Sequence, residues 1–393
     1  LAAAGQPNPS RPIDPLGVSP ETDHRLAVCY HAGVSERLPV QPRPRPAVPA
    51  RERRFVGRRV ADVHGRRTDV VLANPNPGVE NLVDWLTPSF YVDFGRPCNS
   101  ACLYCAVPPH EDAQGFLPMA DVSAVIEAGR AVACDRAILI GGEPTIYPSL
   151  FEVLDALDNA GFERRHIVMT NGVKLADKAF ADRLLDAGVR TVHFSLDTAS
   201  AATYDALSRS EGRFDRQRQG LANALARTDR NVYVYTAVTR LNAGGLPDLA
   251  AMIARQCEAA GRPAVPWVLA VIKPIGDGLR HADTLQLSPT EAVEAVRWAL
   301  EAAEQHGIAA GFRNVQACLA PDLVDRNVDY YLDDFSVEVA TGQRVTYSHT
   351  EYWRKPASCD ACGHNALCTG IYHEMQNRYG DAPYRPIGRD GLR

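Results

Sequence analysis

Six of the ten cysteines stand in two tight groups, Cys98-x3-Cys102-x2-Cys105 and Cys359-x2-Cys362-x5-Cys368. The first group sits on a short stretch directly after the apolar run Ser89 to Asp93. A cubane cluster has four irons and normally takes four thiolates, so three thiols on one loop suit a cluster with one iron left open to a small molecule. An open metal position usually means chemistry rather than scaffolding. Zinc also takes short cysteine spacings: at the first group His110 is the close candidate for its fourth ligand, and at the second a four-thiolate zinc site would have similar spacing, while His364 and His373 are near enough to serve as a cluster's fourth ligand there.

Downstream, polar residues recur at the ends of apolar runs. Gly141-Gly-Glu-Pro-Thr145 follows the run Arg136 to Ile140. Its glycines let backbone approach a ligand closely, and Glu143 sets a carboxylate beside it. Thr170-Asn-Gly172 ends the next run; Asn171 and Gly172 favour a tight turn, and the Asn171 amide is available to a ligand. In Ser195-Leu-Asp197, alternation points Ser195 and Asp197 to one side. The plain structural alternative is that Asp197 caps a helix starting near Ala199. A later run carries Thr236, Val238, Arg240 and Asn242, and the apolar stretch Val268 to Ile272 contains Val271 and Ile272, which as sequence read equally well as core.

The first cysteine group, with Tyr104 just before Cys105, and the Gly-Gly-Glu motif about 35 residues further on together resemble the radical S-adenosylmethionine (radical SAM) superfamily. That resemblance implies Cys98, Cys102 and Cys105 as ligands of a [4Fe-4S] cluster that binds S-adenosyl-L-methionine (SAM) and cleaves it reductively to a 5′-deoxyadenosyl radical. It further implies that Gly141, Gly142 and Glu143, with Pro144 and Thr145, hold the methionyl ammonium. Ser195 and Asp197 would meet the ribose and the methionyl carboxylate, Asn171 and Arg240 would supply polar contacts, and Tyr104, Val271 and Ile272 would lie against adenine.

The second cysteine group resembles the central part of the SPASM and twitch extensions of such enzymes, which hold auxiliary [4Fe-4S] clusters. A full SPASM pattern would place a cysteine four positions after Cys368, where this chain has Tyr372. The departure leaves room for one auxiliary cluster, with Cys318 as the favoured fourth ligand ahead of a hairpin expected around Ala340 to Gln343. Cys318 as a hydrogen-atom donor to a substrate radical, or as a buried structural thiol, stays open.

These residues need a scaffold that brings strand ends together. Strands are expected at Ser89–Asp93, Arg136–Ile140, His166–Thr170, Thr191–Leu196, Asn231–Val238 and Val265–Val271. Amphipathic helices are expected at Met119–Ala133, Ser149–Ala160, Lys178–Ala187, Arg213–Arg227, Leu246–Ala260 and Ser288–His306. The last starts with Ser288-Pro-Thr-Glu291, an N-cap followed by Pro and an acid at the third helical position. Alternating strands and helices make an α/β fold, a partial (βα)6 TIM-like barrel whose ligands gather at the carboxyl ends of the strands. Four domains are expected: a Pro/Arg-rich arm over 1–53, a β-hairpin extension over 54–88 turning about His64 to Arg67, the barrel over 89–312, and a small auxiliary-cluster domain over 313–393.

Composition bounds the function. The 393 residues carry a formal net charge of −5 and no long basic block, which disfavours nucleic-acid substrates. Every apolar run is interrupted by charge before the roughly 18 residues a membrane span needs. Thiols in metal-like groups suit a reducing compartment, so a soluble cytoplasmic protein is expected. The chain opens on Leu1 rather than Met, which leaves an upstream targeting segment open. Cys29, Cys134 and Cys257 lie outside the motifs, and Tyr330, Tyr331, Tyr347, His349 and Tyr352 give the last part a polar aromatic character. The resemblance implies an electron donor such as flavodoxin or ferredoxin. It also implies either a small-molecule substrate (a sugar, aminocyclitol or nucleotide) or a ribosomally made peptide, with the small molecule favoured by the absence of helical periodicity before residue 89. A non-catalytic iron–sulfur or zinc scaffold is the contrasting class.

Overall fold

A strand buried on both faces reads as an unbroken apolar run, and Trp267–Val271 is one: all five of its residues are buried. It belongs to a parallel sheet that forms the centre of the molecule. The computed structural model describes residues 56–63, 66–73, 89–106, 115–131, 136–330, 336–338, 344–346, 353–365, 368 and 370–388.

The chain begins, in the described part, with an antiparallel hairpin of β1 (Val56–Val63) and β2 (Arg66–Ala73), paired up to Val63 opposite Arg66. Residues 64–65, where the turn is expected, lie outside the described residues. Then come β3 (Ser89–Asp93), α1 (Met119–Ala131), β4 (Arg136–Ile140), α2 (Leu150–Asn159), β5 (His166–Thr170), α3 (Lys178–Asp186) and β6 (Val189–Ser195). After β6 follow α4 (Ala201–Ser208), α5 (Phe214–Leu225), β7 (Asn231–Val238), α6 (Leu246–Ala259), β8 (Trp267–Val271), the short α7 (Gly276–Arg280) and α8 (Ala282–Leu285), and α9 (Pro289–Gln305). The sheet ends with β9 (Ala310–Arg313).

Strands β3 to β9 lie side by side in sequence order, seven in all, and the sheet does not close on itself. The expected six strands are present; β9 is a correction to that count. Its register puts Gly311 and Arg313 beside Val268 and Ala270, on the inner face, so two of its four residues supply no apolar signal. The strand also runs across the boundary expected between residues 312 and 313.

The helices cover the outer face. On β7, Val232, Val234, Thr236 and Val238 are buried while Tyr233, Tyr235 and Ala237 alternate with them at partly open positions facing the lumen. Trp267 is fully buried and its indole N–H donates to Thr236 Oγ1 at 2.8 Å, so the largest core side chain has its polar atom satisfied. In α2, Leu150, Val153, Leu154 and Leu157 form the apolar stripe, each at 1% exposure or less, contributing about 2 kcal/mol apiece by burial. The start of α9 is fixed by a capping box: Ser288 Oγ accepts from the Glu291 N–H at 3.2 Å and Glu291 Oε2 accepts from the Ser288 N–H at 2.7 Å.

The remaining chain holds two small pairings. Strand β10 (Ser336–Glu338) pairs with β11 (Arg344–Thr346), the hairpin expected there, and β12 (Trp353–Arg354) pairs with β13 (Ile371–Tyr372), which leads into α10 (His373–Tyr379). Cys29, His110, Cys134, Tyr331, Tyr347, His349 and Tyr352 lie outside the described residues.

Candidate active site at the carboxyl ends of the strands

The cysteine loop leaves the end of β3 and is stitched to the ends of β4, β5 and β6, to the end of α4 and to the start of α7. Gly142 N–H donates to Gly95 O at 2.8 Å and Glu143 N–H to Pro97 O at 3.0 Å, tying the loop to the end of β4. A Cβ on Gly142 would lie 2.4 Å from Arg96 O and 2.3 Å from Pro97 O, so only glycine lets these two backbones pass. Gly141 adopts φ +140°, a conformation that side chains rarely take. The sequence assigned this glycine pair to close approach of a ligand; the close approach is to the chain's own cysteine loop.

Glu143 is 2% exposed. Its Oε1 accepts from Thr145 N–H at 3.0 Å, Thr145 Oγ1 at 2.6 Å and Thr170 Oγ1 at 2.7 Å, while Oε2 accepts from Asn171 N–H at 2.8 Å. Burial raises its pKa, and the Thr145, Asn171 and Thr170 hydrogen bonds oppose that. Oε2, with one hydrogen bond, keeps acceptor capacity for a cation. Asn171 also donates from Nδ2 to Asn99 Oδ1 at 2.5 Å, linking β5 to the residue after Cys98. Pro144 and Thr145 are buried in a 3-10 turn whose Thr145 carbonyl accepts from Lys174 Nζ at 2.8 Å.

From the far side, Ala101 and Leu103 N–H groups donate to Ser208 and Leu207 carbonyls at the end of α4, both at 2.9 Å, and Asp277 N–H caps Cys105 O at 2.9 Å. The Arg213 guanidinium donates to Asn99 O. Tyr104 donates its phenol hydrogen to Asp197, whose other oxygen accepts from the Ala237 N–H at 2.7 Å. Asp197 is therefore not a helix cap. That duty falls to Ser200, which accepts from Thr203 N–H at 3.4 Å at the start of α4. Burial lifts Asp197 to about 6, with the Tyr104 and Ala237 hydrogen bonds holding it lower than burial alone would. Ile272 joins Leu207 and Leu285 in an apolar group against which Leu103 and Tyr104 pack. By strand alternation Val271 faces the helices instead. Ser195 lies opposite Tyr235 on the inner face. Arg240 is not brought here: its guanidinium reaches Asp283 O at 3.1 Å and Glu291 Oε2 at 3.4 Å, beside α9.

Three thiols on one loop form the donor set of this site. Cys102 is raised by burial, then by Asp197, Cys98 and Cys105, and Glu143 and Cys105 act in the same direction on Cys98, so the three thiols feel one another's charge. Cys98 remains exposed and the other two are half-buried. A cationic cluster returns such thiols to thiolates.

The second group gathers a fourth thiol. Cys318, in the turn after β9, is raised to about 12 by burial and then by Cys368, Cys362 and Cys359. Cys362 N–H donates to Cys359 O at 3.0 Å and Gly370 N–H donates to Cys368 Sγ at 3.4 Å, a hydrogen bond that favours thiolate. Among the described residues, no three His, Cys, Asp or Glu side chains are arranged about a single ion position. The ligands of a cubane instead bind separate irons.

Sequence reasoning passed over the inner face itself. Tyr91, His193, Tyr235, Lys273, Arg313 and Asp329 sit among the alternating positions of the inner wall or at the turns beyond it; the signal was the polar half of each alternation, on β7 above all.

Residues 92–253 match the family model of the radical SAM superfamily. The chain is 27% identical over 236 residues to an AdoMet-dependent heme synthase of Nitratidesulfovibrio vulgaris, a match covering 60% of this chain and 58% of that protein's length. It is 25% identical over 307 residues to the mycofactocin maturase MftC of Mycobacterium ulcerans, covering 70% of this chain and 79% of that one. Its fold is similar to that of Streptococcus suis SuiB bound to S-adenosylmethionine, with a TM-score of 0.52, 13% identity and 76% of each chain covered. The chain thus carries a radical SAM domain, and such a domain implies a [4Fe-4S] cluster and SAM. Relatives of this domain are named as enzymes with differing substrates.

Proposed function

We propose that this protein is a radical SAM enzyme acting on a small polar molecule, with Cys98, Cys102 and Cys105 as ligands of the SAM-binding cluster. The stitched cysteine loop carries the reading: the single stretch from Gly95 to Cys105 is fixed to the ends of β4, β5 and β6 and to the start of α7, a preorganised cradle for a cofactor. When bound, the cluster and SAM supply an electron and a 5′-deoxyadenosyl radical that takes hydrogen from a substrate. The chain's own residues position and exclude. Glu143 Oε2 receives the methionyl ammonium, Asn171 and Ser195 face the same chamber, and Tyr104, held by Asp197, joins Ile272 as an apolar wall for adenine. Cys318, Cys359, Cys362 and Cys368 hold one auxiliary [4Fe-4S] cluster. An electron donor of the flavodoxin or ferredoxin kind reduces the first cluster, and the thiol content suits the cytoplasm.

A small substrate is supported by the inner face, where Tyr235 and Arg313 lie by strand register, Arg313 pairs with Asp329, and Tyr372 from β13 is within electrostatic reach of all three. Peptide maturation is the second reading. It is favoured by the maturase relative, whose match spans 70% of this chain.

Anaerobic reconstitution tests the proposal. About eight irons, two cubanes' worth, and release of 5′-deoxyadenosine on reduction are expected. A reduced holoprotein that binds SAM but never cleaves it would refute enzymatic function and leave a scaffold.

A further inference from the structure

The chain has only four lysines, Lys174, Lys178, Lys273 and Lys355. Three of them have partners: Lys174 Nζ donates to Thr145 O, Lys178 pairs with Asp182 at 2.6 Å, and Lys355 Nζ donates to Asn365 O at 2.5 Å. The Lys273 ammonium has neither hydrogen bond nor ion pair among the described residues, although the residue is half-buried two positions beyond β8. Its position is fixed by neighbours of the site. Ile275 N–H donates to Lys273 O at 2.8 Å, and a Cβ on Gly278, in the helix that caps the Cys105 carbonyl, would lie 2.7 Å from that same oxygen.

Lys273 lies near enough to a second cation, Arg313, to feel its charge. Arg313 shares the inner face with Ala270 and Tyr235 by register. Arg313 Nε donates to Asp329 Oδ1 at 2.8 Å, and Asp329 Oδ2 accepts from Asn314 N–H at 2.6 Å, so the carboxylate is anchored on both oxygens. The Arg313 side chain keeps 21% of its surface open, enough for contact from the lumen. Lys273 is within electrostatic reach of both Arg313 and Asp329; burial, then Arg313, draws its ammonium down to about 8. One carboxylate against two cations leaves these three groups net positive. A third observation points to a missing partner: Tyr372 is 4% exposed, its hydroxyl has no hydrogen bond, and Asp329, Arg313 and Tyr235 all act on it. A buried hydroxyl without a partner is costly unless something fills the space beside it.

We propose that Lys273, Arg313 and the Tyr372 hydroxyl form a docking point for an anionic group of the substrate, a carboxylate or a phosphate, at the inner wall beside the cysteine loop. Asp329 orients Arg313 so that its fork faces the ligand. The anion neutralises Lys273 and gives Tyr372 an acceptor, while the rest of the substrate extends toward the Tyr104 and Asp197 side of the chamber. This rests on reading the inner face as the substrate chamber.

The test uses SAM-saturated, unreduced holoprotein labelled with [ε-13C]lysine, which yields one signal per lysine. Inorganic phosphate and glutarate are titrated separately. The Lys273 signal, assigned by its loss in Lys273→Met, shifts saturably with at least one of the two, and the tighter anion identifies the group. Calorimetry on Lys273→Met shows at least tenfold weaker binding of that anion, Lys273→Arg restores it to within threefold, and Lys178→Met leaves it unchanged. No saturable shift with either anion, or binding that Lys273→Met leaves within twofold, overturns the proposal. Because no reductant is present, this result is separate from any failure to cleave SAM.

Discussion

The phenol of Tyr104 donates to the carboxylate of Asp197, closing a contact across 93 positions of sequence between the cysteine loop and the end of β6. Tyr104→Phe keeps the ring among Leu103, Leu207, Ile272 and Leu285 but strips one donor from a buried carboxylate. A hydrogen bond to a charged group contributes about 1.5–3 kcal/mol. SAM affinity is expected to fall by about tenfold, equivalent to about 1.4 kcal/mol, with iron content unchanged. An equilibrium binding constant within twofold of wild type would remove this link from the SAM site.

Gly142→Ala places a methyl group against the Arg96 and Pro97 carbonyls, neither of which is the end of a flexible side chain. Overpacking of this kind costs about 1–3 kcal/mol. The cysteine loop must lift from β4, so loss of iron from the first site alone is expected, read as the iron-to-protein ratio after reconstitution. Full iron loading in Gly142→Ala would show that the loop does not depend on this crossing.

Cys318→Ala tests the fourth thiol. If Cys318 ligates with Cys359, Cys362 and Cys368, the variant loses or degrades the auxiliary cluster while the first stays, and Mössbauer spectra retain one cubane of two. Replacing Cys359, Cys362 and Cys368 together by Ala leaves about four irons, one cluster's worth. An unchanged second cluster in Cys318→Ala assigns that thiol to another role.

Stability should fall in mild acid because of two buried histidines. Burial, then the charges of Arg164 and Arg136, hold His166 at about 4; burial and Arg313 hold His193 at about 3. The unfolded chain binds these protons from about pH 6.5 downward and the folded one does not, so stability is full above that pH and declines as pH drops toward 4. Each group accounts for up to about 3 kcal/mol by pH 4. Asp197, lifted to about 6, acts in the opposite sense over the same range, so denaturant melts between pH 7 and 4 on His166→Gln should show a clearly shallower decline than wild type; an identical slope would exclude His166 as a source.

Much of this architecture was legible because strands buried on both faces leave continuous apolar runs. Ser89–Asp93, Arg136–Ile140, His166–Thr170 and Asn231–Val238 have the same limits in sequence and structure. Ala310–Arg313 was not legible, since half of it faces the lumen and includes Gly and Arg. At the site, the motif residues Gly142, Glu143 and Asp197 could be named, but not what they touch. Spacing carries no record of which backbone crosses which, so the contact of Gly142 with Pro97 and of Asp197 with Tyr104 appears only in three dimensions. Lys273, Arg313 and Asp329 come from the loop after β8, the end of β9 and a 3-10 turn at Val328–Tyr330, and share no local pattern.

Tyr372 stands where the cysteine pattern would have continued, and it pairs with Trp353 across β12 and β13, with ring centroids 4.1 Å apart. The same segment holds Cys368, and Gln316 anchors it by donating to Gly370 O at 2.9 Å, two positions from Cys318 and two from Cys368. On the ligand set proposed above, loading of those sulfurs and seating of Tyr372 would depend on one and the same segment, so a protein lacking that cluster would also hold the Tyr372 ring less firmly.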